Sequence, residues 1–316
     1  MKKINIFCIT LAFLALGVEN TKAIFWYVGY PYADDITATL KGNTLTFSGL
    51  GNMKDFSGMQ PYINYRDSIK SVVIENGITS VGANAFSLFF SLKTVSLSNT
   101  VSKIGDAAFA DCTVLSTISI PNSVLLLGDY SFAGCTALTS LNIGNYLTGI
   151  GEGAFKQCYS LTSVKIPSSV ITIKDMAFSD CTGLTDVYVS WTIPPNIEGL
   201  DVFFNINVSQ VKLHIPQGTL TTYQTAPVWK NFNIVEDITS VDNIYAKTLK
   251  LYPNPVKDEL FIDNLPLNNF PFTIFDLSGK IVNSQWLSGK SINVSSLPSG
   301  VYVVKIGKYR GKFVKE

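Results

Sequence analysis

The sequence predicts a mainly β chain: a solenoid of 23-residue coils with short helical turns and a parallel sheet, followed by a small antiparallel β-sandwich. Three observations carry this prediction. Cys112, Cys135, Cys158 and Cys181 follow one another at intervals of 23 residues. Within each interval the apolar period switches from alternation to steps of three and four. After Ile238-Thr239-Ser240 the pattern becomes short alternating segments separated by turn residues. A fixed self-similar period of this length marks stacked repeats, none of which can bury its apolar face alone.

The first element is a leader. Lys2 and Lys3 precede an apolar run, Ile4 to Val18, and Thr21-Lys22-Ala23 places small residues where a signal peptidase reads, so residues 1–23 are predicted to be an export signal. The run is shorter than the roughly 20 residues of a membrane span. Cys8 lies inside it and leaves with it, which puts the four remaining cysteines in a compartment where disulfides persist. Residues 24–67 are predicted to cap the solenoid: Thr37–Leu40 and Leu45–Ser48 flank Lys41-Gly42-Asn43-Thr44 as a hairpin.

Coils fill 68–237. Phe86, Phe109, Phe132, Phe155 and Phe178 align at the repeat, as do Leu92, Leu115, Leu138, Leu161 and Leu184. In Leu161, Val164 and Ile166 the spacing is that of a strand. In Ile104, Ala108, Phe109 and Cys112 it is that of a helical turn. The sixth coil begins normally at Leu184, Val187 and Val189, then Pro194-Pro195 breaks the register, and a last strand returns at Val211, Leu213 and Ile215. Residues 238–249 read as a linker. Beyond it, Leu249–Leu251, Leu260–Ile262, Phe272–Phe275, Ile281–Val282, Ile292–Val294 and Val301–Ile306 read as the strands of a sandwich over 250–316.

Composition narrows the function. Of 316 residues only 15% are charged, against roughly 25% in an average domain, and 24 Lys+Arg against 23 Asp+Glu leave a net charge of +1. That balance excludes a disordered polyelectrolyte and offers no cationic surplus for nucleic acid. One histidine, His214, precludes a His pair for a metal, and alternation between Leu213 and Ile215 predicts that it faces solvent. Four cysteines stacked about 4.8 Å apart span roughly 14 Å, too far for one tetrahedral zinc, and parallel side chains do not suit disulfides, so they read as buried free thiols. Gly149-Ile150-Gly151-Glu152-Gly153-Ala154 imitates a dinucleotide loop, but Gly151 belongs to a column with Gly105 and Gly128 that reads as a turn requiring glycine. Asp106, Asp129, Glu152 and Asp175 form an acidic column that reads as acceptors for orphan backbone N–H groups rather than as a metal ladder. No cofactor is expected.

The repeat Leu-x-x-Val-x-Ile-Pro-x-Ser-Val-x-x-Ile-x-x-x-Ala-Phe-x-x-Cys over 161–181 resembles the BspA-like leucine-rich repeat of bacterial surface proteins. So do the closing piece Ile215-Pro216-Gln217-Gly218 with Tyr223, Trp229 and Ile234, and the opening Leu45-Thr46-Phe47-Ser48-Gly49. Phe89 departs by standing where later coils have Cys, and Lys174 where earlier coils have Gly. In the second unit Tyr252-Pro253-Asn254-Pro255, Asp276-x-x-Gly279-Lys280, Leu297-Pro298-x-Gly300-x-Tyr302 and the ending Lys312-Phe313-Val314-Lys315 resemble the C-terminal sorting domain of type IX secretion substrates. That resemblance implies two partners, the type IX outer-membrane translocon and its sortase-like peptidase, with cleavage in 238–249 and a final location at the cell surface or outside the cell. The repeat resemblance implies a non-enzymatic, adhesin-like protein with an extracellular protein or glycan ligand; a glycan-binding or structural coat protein is the second reading.

Outward strand positions form the candidate binding face: Thr94 and Ser96, Thr117 and Ser119, Ser140 and Asn142, Ser163 and Lys165, Asp186 and Tyr188. Stacked coils would present them as one extended surface, rich in short hydroxyls and nearly uncharged.

Overall fold

The computed structural model describes residues 23–195, 197, 201–238, 247–263, 271–276, 281–287, 289–306 and 309–316. The predicted export signal and the core of the predicted linker lie outside them. Two hydrophobic cores are present: one runs from Val28 to Phe232, the other from Leu249 to Phe313.

The first core belongs to a stack of β coils. Strands Ser71–Ile74, Thr94–Leu97, Thr117–Ser119, Ser140–Asn142, Ser163–Ile166, Asp186–Val189 and Lys212–Pro216 follow one another down one side, in parallel ladders interrupted between 97 and 117 and between 142 and 163. In-register partners are one repeat apart: Thr117 faces Ser140 and Ser163 faces Asp186. Alternation does what the sequence predicts, burying Ile118, Leu141, Val164 and Val187 while their neighbours face outward.

The second half of each coil refines the expected helical turn. Ile78–Val81, Lys103–Ile104, Leu126–Leu127, Gly149–Ile150 and Thr172–Ile173 form a second parallel sheet that the apolar spacing does not reveal. A run of i→i+3 turns follows, interrupted twice per coil by left-handed residues, as at Ala107 (φ 49°) and Asp111 (φ 58°). These interruptions aim alternate N–H groups at the next coil. Ala107, Phe109 and Asp111 donate to the carbonyls of Asp129, Ser131 and Ala133 at 2.7–2.8 Å, while Ala108 and Ala110 donate back to Gly105 and Ala107. The backbone thereby satisfies itself between coils as well as within them.

Beneath the turns the phenylalanines stack. Phe86, Phe109, Phe132, Phe155, Phe178 and Phe203 lie with successive ring centroids 5.1–5.6 Å apart and planes within 18° of parallel. Each buried ring contributes about 1.5–3 kcal/mol by burial alone, provided a neighbouring coil covers it. Both ends are closed edge-on: Phe47 meets Phe86 at 89°, and Phe232 meets Phe203 at 83°. Phe203 extends the column into the sixth coil. Phe178 and Asp180 donate to the carbonyls of Val202 and Phe204 as in every earlier coil, while the interval lengthens from 23 residues to 25 between Phe178 and Phe203 and to 26 between Val187 and its partner Leu213, which accounts for the lost register.

The caps follow from the same need. Ile36–Lys41 and Thr44–Gly49 form the expected antiparallel hairpin, and Thr44–Gly49 also pairs in parallel with Ser71–Ile74, converting hairpin to solenoid. At the other end Asn233–Ile238 adds a further strand beside Lys212–Pro216, with Tyr223 and Trp229 fully buried under it.

The cysteines are free and fully buried. Each thiol donates to a phenylalanine carbonyl of the preceding coil, Cys135 to Phe109 at 3.3 Å and Cys158 to Phe132 at 3.4 Å. Burial pushes the Cys135 thiol up to about 12, which keeps it protonated and unreactive. Phe89, in the first position of this column, closes it with a ring packed on Tyr62 and Phe86.

In the second unit a five-stranded sheet (Lys247–Thr248, Tyr309–Lys315, Gly300–Ile306, Pro271–Asp276, Ile281–Trp286) accompanies a three-stranded one (Lys250–Tyr252, Glu259–Asp263, Ser291–Asn293). All described pairings are antiparallel except Lys247–Thr248 on Tyr309–Arg310 and the isolated bridge from Val256 to Lys315.

Candidate functional site

The coil sequence dictates a face before any ligand is considered. Strand residues between the buried Val/Ile/Leu positions must point away from the core, and nine of the ten predicted face residues are exposed; Asp186 is half-buried. Neighbouring coils tie some of them together. Thr94 shares a 2.8 Å hydrogen bond with Ser71, and the Asn142 amide donates to Ser119 at 3.4 Å.

Across the interrupted ladder between Leu97 and Thr117 the face deepens into a groove of about 520 Å³. Its polar side chains are Ser96, Ser119 and Asn142, all predicted, together with Asn99, Asn122 and Asn145, which the strand pattern omits. A signal for the latter exists: Asn76, Asn99, Asn122 and Asn145 recur at 23, one position in the turn after each strand. Asn122 Oδ1 accepts the Asn145 backbone N–H at 2.7 Å, so one member locks the coil spacing. The side chains of Asn99 and Asn145 make no hydrogen bond among the described residues, and no charged residue lines the groove.

The far end of the face is different chemically. His214 is 8% exposed, not solvent-facing as alternation suggests. Its ring stacks on Tyr188 with centroids 4.2 Å apart, Nε2 lies 2.9 Å from Asp186, and Nδ1 lies 2.8 Å from Asp237. The outward direction is right, but the added strand Asn233–Ile238 and the Tyr188 ring cover the side chain. Both ring nitrogens meet carboxylates, which only accept; the protonated ring makes both bonds and the neutral ring one. The hydrogen bond from His214, with one from Thr185, holds the Asp186 carboxyl below the usual range. Asp186 and Tyr188 are therefore engaged within the molecule.

Half of the acidic column accepts backbone N–H groups, with the next coil as donor: Asp106 Oδ1 accepts the Asp129 N–H at 3.0 Å and Asp129 Oδ1 the Glu152 N–H at 2.8 Å, whereas Glu152 accepts the Tyr130 hydroxyl and Asp175 Oδ1 is buried with no partner among the described residues. Lys174, the departure from the glycine column, reaches back to Asp129 at 3.1 Å. Burial raises the Asp129 carboxyl, but the Glu152 N–H and Lys174 outweigh it and leave it lowered. No group of acidic, histidine or cysteine side chains among the described residues could hold a metal ion. Gly151 is required for a reason other than its turn: its φ is not positive, and a Cβ there would stand 2.5 Å from the Gly128 backbone of the coil below.

The sorting-motif residues hold the second unit together. Asn254 Oδ1 accepts the Val314 N–H at 2.8 Å and its amide donates to the Lys312 carbonyl at 3.2 Å, pinning the last strand. Tyr302 donates to the Pro298 carbonyl at 2.8 Å and stacks on Phe313. Asp276 pairs in register with Tyr302 and Gly300 with Lys315, and Leu297 is buried. Tyr252 is more than half exposed and stacks on Phe261. Gly279 and Lys280 lie outside the described residues.

Against known proteins, residues 59–185 match the BspA type leucine rich repeat region in six copies, and residues 250–316 match the secretion system C-terminal sorting domain. Solved structures similar to this chain include a T. pallidum leucine rich repeat protein, 24% identical over 50% of this chain and 83% of that one, with a TM-score of 0.39. A leucine-rich repeat protein from Bacteroides ovatus is 15% identical over 71% of this chain and 82% of its own, with a TM-score of 0.30. No curated protein matches. No helix among the described residues is long and apolar enough to cross a membrane.

Proposed function

We propose that this chain, a BspA-type leucine-rich repeat protein with a type IX sorting tail that directs it to the cell surface or into the medium, is a non-enzymatic, adhesin-like protein whose strand face binds another macromolecule. The observation that carries the reading is the run of exposed, mostly uncharged side chains from Thr94 to Lys165, presented in register by successive coils over a rigid stacked core. Repetition lets many weak contacts sum along one surface. The single histidine fits this reading, because it is 8% exposed with Asp186 and Asp237 against its two ring nitrogens, a junction between strands rather than a base set beside a nucleophile. The tail acts earlier: it engages the type IX machinery, and the sortase-like peptidase then cuts within 238–249. Finding residues 252–316 still attached to the surface form by mass spectrometry would overturn that processing step.

The face is tested by Thr117→Arg combined with Ser140→Glu in the secreted full chain. The two positions are exposed and directly paired, so opposite charges leave the strand pair unstrained while bulk covers the surface. Adhesion to host cells and matrix proteins is expected to be lost with a melting temperature within about 2 °C of wild type. Unchanged adhesion would place the contact elsewhere.

A further inference from the structure

We propose that the groove at Asn99, Asn122 and Asn145 takes an uncharged polysaccharide chain laid along the solenoid axis, which names a ligand class for the face proposed above and rests on that reading. The lining excludes charged ligands first. With no Asp, Glu, Lys or Arg in it, a sulfated, phosphorylated or carboxylated chain would leave its hydration without gaining a counter-charge. It also excludes the usual protein anchor: protein hot spots are built on Trp, Tyr and Arg in desolvated pockets, and the groove contains none of these.

What the groove does offer is amides and hydroxyls. Each carboxamide presents donors and an acceptor side by side, and each serine hydroxyl does both at one atom. The natural complement is a group that is also donor and acceptor at one atom, the hydroxyl of a sugar ring. The amides available for it are those of Asn99 and Asn145, free of bonds among the described residues, with Asn122 between them partly engaged in spacing the coils. Periodicity sharpens the argument. Ser96 and Ser119, then Asn99, Asn122 and Asn145, recur coil by coil at intervals of 23 residues. A chain of identical units can repeat one hydrogen-bond pattern on successive coils, whereas a peptide presents a different side chain at each step.

The test uses the full secreted chain in native affinity gels containing mannan, dextran, galactomannan or mixed-linkage β-glucan, with heparin as the charged comparison. Retardation by at least one neutral polysaccharide is expected, unchanged between low and high salt because no ion pairs form. Asn99→Ala with Asn145→Ala removes the two free amides without touching the Asn122 bond. It should weaken retardation on the order of tenfold, two hydrogen bonds' worth, at an unchanged melting temperature. Retardation that persists in the double variant, or that occurs only in heparin, overturns the proposal. Failure on every neutral gel by a protein whose cell adhesion still responds to Thr117→Arg with Ser140→Glu also overturns it, assigning the face to a protein partner. Loss of that response as well would overturn the face itself.

Discussion

The strand face carries equivalent positions from end to end, yet its two ends are chemically opposed. Around Ser96, Ser119 and Asn142 the side chains are short, neutral and open to solvent, with free amides beside them. Around Asp186 and Tyr188 the same strand positions carry a carboxylate and an aromatic ring, and both are consumed by His214. The difference teaches that an outward strand position is only an opportunity. In the middle coils the neighbours above and below are alike and small, so the polar groups bond to one another and stay open to solvent. At the last coil the stack must be joined to an irregular cap, and the outward side chains of Asp186–Val189, Lys212–Pro216 and Asn233–Ile238 are recruited for that junction.

Both ends stand on one core, and breaking it should abolish the contrast. Phe132→Ala removes a central ring of the stack and leaves a cavity between two rings about 5.2 and 5.6 Å away. It is expected to cost about 3–5 kcal/mol in chemical unfolding, the largest effect here. A cost under about 1 kcal/mol would mean that the column is not what holds the coils. His214→Ala acts on one end alone. It leaves Asp186 and Asp237 without their shared partner and uncovers the Tyr188 ring, at an expected cost of about 2 kcal/mol, while polysaccharide retardation at the groove stays at the wild-type level. Equal loss at both ends would show that the face behaves as a single unit.

How much of this was legible follows the same division. The Phe and Leu positions repeat over five coils, and the Cys position over four with Phe89 in its first place, so the core and the direction of the face residues could be read from spacing. The second parallel sheet could not, because Ile104, Leu127, Ile150 and Ile173 sit in two-residue strands whose pairing is made by backbone groups that no side-chain pattern records. Phe203 was hidden by two inserted residues, although Val202-Phe203 repeats the Ala-Phe pair of earlier coils. For His214, alternation gives the direction but not the cover, since Asp237 belongs to a strand whose pairing depends on the cap. The asparagine column is visible as a period, but it lies in the turns, outside the strands whose alternation defines the face. In the second unit the motif residues could be located, while their work as clamps on the last strand required knowing that Asn254 reaches across to Val314.

The mildest way to separate the two ends is acid. Hydrogen bonds from His214 and Thr185 favour the charged form of Asp186, so its carboxyl titrates lower in the folded chain than in the unfolded one. Stability from this source is therefore present above the ordinary Asp value of about 4 and is lost as the pH falls through the lowered folded value. Protonating Asp186 removes an acceptor from the His214 ring and should loosen Asp186–Val189 against Lys212–Pro216 before the rest of the stack. The groove has no titratable side chain in its lining and should not respond. Hydrogen exchange measured from about pH 6 down to pH 3, corrected for the intrinsic rate, is expected to show protection falling first at Val187, Tyr188 and His214 while Ile118 and Leu141 hold. A simultaneous fall at both sets would mean that acid acts on the whole solenoid, and that the junction has no local stability of its own to lose.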